Sequence, residues 1–140
     1  MTPPLNSFDP PKTWEELVEL KSKIRHSTPE TARLPDDLEF YQLYTKLVPR
    51  DIRLEIIKQL IGNNDYKILP NNFPYLKLIK NLPEVKHYCL WSRIGELSPE
   101  IIETEIAKKF SGKKYFWLEN SLQTKSIPEI WHCHIFVKEK

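Results

Sequence analysis

A chain of 140 residues, 40% hydrophobic and 11% aromatic, is long enough to bury a real core and sits in the single-domain range. A mean hydropathy of −0.50, with no apolar run near the ~20 residues of a bilayer span, excludes a helical membrane protein. The charges are mixed and net +2, too weak a bias to expect nucleic acid, although Lys113, Lys114, Lys138 and Lys140 make the C-terminal part locally basic.

The first residues, Met1 to Asn6, carry neither the basic nor the apolar part of a secretory signal. Residues 1–12 hold four prolines and few large apolar groups, so they are expected to be a flexible arm ahead of a single α+β domain over 13–140. Thr13-Trp14-Glu15-Glu16 is a capping box that opens a helix with Trp14, Leu17, Leu20 and Ile24 on its apolar side, broken near Thr28-Pro29. Pro35-Asp36-Asp37 opens a second helix, with its acids at the positive end, and Leu38, Tyr41, Tyr44, Leu47 and Val48 recur at three and four. Pro49 belongs at a first turn, which predicts a third helix over about 50–61. Its expected buried face is Ile52, Ile56, Ile57, Leu60 and Ile61, with Gly62 as the cap.

Asn63-Asn64, Asn71-Asn72, Pro70, Pro74 and Pro83 make 63–84 loop-rich, with a short strand at Tyr66–Leu69 and an extended Phe73–Leu76. Residues 85–94 are strand by content. Ser98-Pro99-Glu100 caps a helix with Ile101, Ile102, Ile106 and Phe110 on one face, and Lys114–Glu119 and Ile127–Lys138 are further strands. The expected architecture is N-terminal helices followed by a small antiparallel β-β-α-β-β sheet, with helices packed on one face.

The chemistry concentrates in the last strand. Alternation puts His132, His134, Phe136 and Lys138 on one face and Trp131, Cys133, Ile135 and Val137 on the other. His132 and His134 are the candidate catalytic residues: two imidazoles at this spacing can serve a phosphate or, with a third ligand such as His87, a metal. The competing reading is a strand face whose imidazoles are hydrogen-bonded within the protein. If strand 85–94 pairs beside the last one, His87 shares that surface, and Arg93 offers a fork for an anion. Trp91, Trp117 and Trp131 are either a stacking wall or sheet core. With Gly at only three positions there is no glycine-rich phosphate loop, no metal site is written in the spacing, and any cofactor is left open. Cys89 and Cys133 lack CxxC or zinc-finger spacing and read as reduced thiols of a cytosolic protein, with the nucleus also open. A disulfide between them stays open if their strands are neighbours.

Asp65–Tyr75, Val85–Ser92, Phe116–Asn120 and Trp131–Ile135 resemble the fungal N-acetylglucosamine-induced protein family, a domain of unknown function, over essentially residues 13–138. The resemblance nominates Asn72, Pro74, Tyr75, His87, Trp91, Asn120, His132 and His134, and implies identity more than mechanism. A looser similarity is to histidine-triad proteins, with Phe136 in place of the third histidine or Ile130 in place of the first. By that likeness the nucleophile is His134 or His132, and the ligand a nucleotide, sugar phosphate or nucleotide sugar, with phosphoryl or nucleotidyl hydrolysis or transfer as the chemistry. The expected partner is thus a phosphorylated small molecule, with no membrane and no nucleic acid. The alternative is a non-catalytic regulatory or interaction protein with structural histidines.

Overall fold

The computed structural model describes residues 9–21, 34–71, 74–119 and 130–139. Thr13 caps the first helix, α1 (Trp14–Glu19): its Oγ1 accepts from the Glu16 amide at 3.1 Å, and the Glu16 carboxylate accepts from the Lys12 amide at 2.9 Å. Two helices follow, α2 (Pro35–Leu47) and α3 (Arg50–Ile61), with Pro49 between them. Gly62 ends α3 in the left-handed region at φ 68°. The rest alternates strands and short helices: β1 (Tyr66–Pro70), α4 (Leu76–Ile79), β2 (Val85–Ser92), α5 (Pro99–Lys109), β3 (Lys114–Leu118) and β4 (Trp131–Lys138). Ser98 caps α5, accepting from the Ile101 amide at 3.3 Å.

The four strands form one antiparallel sheet in the order β1-β2-β4-β3. Pro70, which lacks an amide hydrogen, ends the edge strand β1, where the ladder tolerates it. The α+β class and the β-β-α-β-β order are as the sequence predicts. The helices differ from expectation in covering both faces of the sheet. On one face, Ile102, Ile106 and Phe110 from the α5 region pack on Leu90, Cys133, Ile135 and Val137. On the other, Trp14 and Leu17 of α1 and Leu78 of α4 join Tyr75, Val85, Phe116 and Phe136. Of the segment Phe73–Leu76 expected to be extended, Phe73 lies outside the described residues and Leu76 departs, since Leu76–Ile79 is helical. That helix is about one turn long, too short to leave a periodic signal.

The α2–α3 pair is covered far less. No residue of α2 is buried, and α3 buries Ile61. Leu54 and Ile57 are half-buried, whereas Ile52, Ile56 and Leu60, expected on the buried face, are 41–49% exposed. Ile57 and Ile61 are on the covered side as expected, whereas Ile52, Ile56 and Leu60 form a second apolar stripe, and composition cannot say which stripe the fold covers. Phe40, Leu43 and Leu47 of α2 are likewise exposed. The Arg93 amide donates to the Asp65 carbonyl at 2.8 Å and its guanidinium to the Gly62 carbonyl, tying the end of β2 to the end of α3. Of the expected N-terminal arm, residues 1–8 lie outside the described residues, and Pro11 is buried with its carbonyl accepting from Asn81. Among the described residues, no helix is long and apolar enough to cross a membrane.

Candidate functional site

The β2–β4 register decides which side chains meet. Trp91 lies opposite His132, Cys89 opposite His134 and His87 opposite Phe136, so all six project from the same face. His87, His132 and His134 therefore do share one surface, as the alternation predicts. That surface is buried: the three histidines are 4–5% exposed.

Hydrogen bonds order the rings. The Tyr75 backbone amide donates to His87 Nδ1 at 3.1 Å. An amide can only donate, so that nitrogen carries no hydrogen and the proton of the neutral ring sits on Nε2. His87 Nε2 lies 2.9 Å from His134 Nδ1, which accepts, leaving the His134 hydrogen on Nε2, 3.5 Å from the Tyr75 hydroxyl. The Asn71 side-chain nitrogen stands 3.4 Å from His87 Nε2, and with the hydrogen on Nε2 we assign the amide its other orientation, oxygen toward the ring. Phe136 stacks on His87 with centroids 4.4 Å apart, and Phe116 stacks on Phe136 at 5.1 Å. His132 is held separately: its Nδ1 donates to the Ile130 carbonyl at 3.2 Å, and its ring stacks on half-buried Trp91 at 4.1 Å. It meets His134 edge-on at 5.5 Å.

The donor atoms of His87, Cys89 and His134 lie within 4.8 Å of one another, and the residue types suit a thiophilic cation. The polarity does not. A metal-bound imidazole ordinarily donates its other ring N–H outward to an acceptor. His134 meets that condition through Tyr75 Oη. His87 reverses it, because a cation on Nε2 would require a hydrogen on Nδ1, facing the Tyr75 N–H. The cluster is wired for protons.

The cysteines point to opposite faces, since Cys89 pairs with His134 and Leu90 with Cys133, and both are free. Cys89 Sγ lies 3.7 Å from His134 Nδ1, while burial pushes the Cys133 thiol well up from its ordinary range.

Of the residues nominated from sequence, the structure brings Tyr75, His87 and His134 together, with Trp91 and His132 adjoining on the same face. Arg93 is exposed and engaged at Gly62. Asn72 and Asn120 lie outside the described residues. Asn71, Cys89 and Phe136 also belong to the constellation, beyond the residues nominated from sequence. The signal for Cys89 and Phe136 was available, since period-two alternation places each on the histidine face once the two strands are paired.

Comparison with known proteins gives a fold likeness and a family. A solved crystal structure of a protein called HTC1 superposes with a TM-score of 0.62, covering 89% of this chain and 84% of that one. At 17% identity the likeness is one of fold. N-acetylglucosamine-induced protein 1 of Candida albicans (strain SC5314 / ATCC MYA-2876) is 32% identical over 94 residues, 54% of this chain and 35% of the relative. The match thus spans about a third of that protein's length. The family described as protein of unknown function (DUF3605) matches residues 52–138, more than half of the chain and all of the sheet, and the chain belongs to that family.

Proposed function

We propose that this domain is a non-catalytic regulatory or interaction protein in which the histidines serve the fold. One observation carries the reading: both ring nitrogens of His87 and both of His134 meet partners inside the domain, at positions only 5% exposed. A transfer catalyst needs an imidazole nitrogen presented to substrate with its orientation held by the other. Here the nitrogens are spent on Tyr75 and on each other. The position of a third triad histidine is filled by fully buried Phe136 in one register and buried Ile130 in the other. Two free thiols support a reducing, cytosolic setting.

A second reading, a site for a nucleotide, sugar phosphate or nucleotide sugar, rests on the convergence of Asn71, Tyr75, His87, His132 and His134 on one sheet face and on the likeness to histidine-triad proteins. One experiment separates the two: thermal unfolding of the wild type and of the His132→Asn, His134→Asn double variant, with a nucleoside diphosphate, a hexose phosphate and a nucleoside-diphosphate sugar. A ligand at 100 times its dissociation constant adds about 2.7 kcal/mol. We expect no ligand to stabilise the wild type in preference to the folded variant. A rise confined to the wild type would give the small-molecule reading first place.

A further inference from the structure

We propose that the His87–His134 pair is an acid-operated latch that holds residues 74–79 against the sheet. The proposal rests on the reading of these histidines as structural and names a regulation for them.

The hydrogen-bond circuit begins and ends on one residue. The Tyr75 amide donates to His87 Nδ1, His87 Nε2–H donates to His134 Nδ1, and His134 Nε2–H faces the Tyr75 hydroxyl. Each link is satisfied only while both rings are neutral. A proton added to His87 goes to Nδ1 and sets an N–H against the Tyr75 N–H. A proton added to His134 goes to its Nδ1 and sets an N–H against His87 Nε2–H. Either way two donors meet, at 5–6% exposure for all three residues, where water gives little relief.

Other groups face the pair from each side. From β2, Cys89 lies 3.7 Å from His134 Nδ1; from β4, His132 stands edge-on to His134 and Phe136 stacks on His87; from the chain before α4, Asn71 lies 3.4 Å from His87 Nε2. Of these four, Cys89 and His132 are titratable. Tyr75 is also the base of α4: its carbonyl accepts from the Leu78 amide at 2.9 Å, and Tyr75 and Leu78 both pack in the α1-side core. Breaking the circuit loosens the one helical turn that helps cover Phe136 and Val85.

The test is amide hydrogen exchange at Tyr75 in the full chain, read as a protection factor so that the intrinsic pH dependence cancels. Between about pH 7.5 and about pH 5, where imidazoles gain their proton, we expect protection at Tyr75 to fall by about tenfold or more while the far-ultraviolet spectrum stays native. His87→Asn places a non-titrating acceptor near the position of Nδ1, and in that variant Tyr75 should keep the same protection at both pH values. Equal protection at both pH values in the wild type overturns the latch. Nitrogen-15 spectra showing hydrogen on His87 Nδ1 at neutral pH overturn it as well, and decide the matter alone if His87→Asn does not fold. A ligand that stabilises only the wild type overturns the functional reading; unchanged Tyr75 protection overturns the latch, so the two failures are told apart.

Discussion

The sheet and the α2–α3 pair draw on similar aliphatic residues and treat them differently. In β4, Ile135, Phe136 and Val137 are fully buried because both sheet faces have a covering layer. In α2 and α3, Leu43, Leu47, Ile52, Ile56 and Leu60 are 41–68% exposed, and Ile61 is the buried anchor. Apolar content therefore does not locate a core. A second layer does, and the hydrogen-bonded register of the sheet dictates which side chains meet it.

Three measurements would break or sharpen that contrast. The largest effect is expected at Phe136, fully buried between the rings of His87 and Phe116. Phe136→Ala should cost about 3–5 kcal/mol in urea denaturation. A loss near 1 kcal/mol would mean that the histidine face is loosely packed and that the two regions are alike. Next comes a pair of substitutions within α3. Ile61→Ala should cost about 2–4 kcal/mol and Ile56→Ala less than about 0.5 kcal/mol, since one side chain is fully buried and the other 41% exposed. Equal costs would show that the outer stripe is covered in solution.

The smallest effect concerns the polar rim of the sheet. The Tyr88 hydroxyl donates to Glu139 at 2.8 Å, and Glu139 also holds Lys113. Burial, and then this bond, push Tyr88 from 10.0 up to about 12, while Lys113 and then Tyr88 hold Glu139 below its ordinary range. A raised tyrosine contributes stability that is complete below pH 10 and lost as pH rises through about 12; a depressed carboxylate contributes above pH 4.5 and loses it as pH falls. Solvent screening at this rim limits each contribution to about 1 kcal/mol or less. Tyr88→Phe should flatten the alkaline limb of a stability–pH curve, and an unchanged limb would show that the bond carries no net energy.

Much of the fold was legible because its signals are local. Ser98-Pro99 and Thr13 with Glu16 announce helix starts through their capping chemistry, and β4 alternates strictly enough to separate Cys133 from His134. The two faces of α3 were not legible, since Ile52-Ile56-Leu60 and Leu54-Ile57-Ile61 are equally good stripes. At the site, the meeting of His87 with His134 followed from pairing two strands. The role of Tyr75 did not, because its decisive atom is a backbone amide, which every residue except proline possesses. Sequence likewise could not tell that Trp91 and Trp117 would be half-buried while Phe116 and Phe136 took the interior.

The sheet order β1-β2-β4-β3 has a consequence for how the chain comes off the ribosome. The strand made last lies in the interior of the sheet, paired on both sides. Until residues 131–138 emerge, β3 has no strand to join and β2 is open along one edge. Synthesis from the N-terminus can complete the β1–β2 hairpin and the helices, but the hydrophobic layers on either side of β4 must wait. Pairing across such sequence separations is slow compared with helix formation. The nascent domain thus passes through an interval with an open, strand-accepting slot, and loss of residues 131–138 takes away the centre of the sheet.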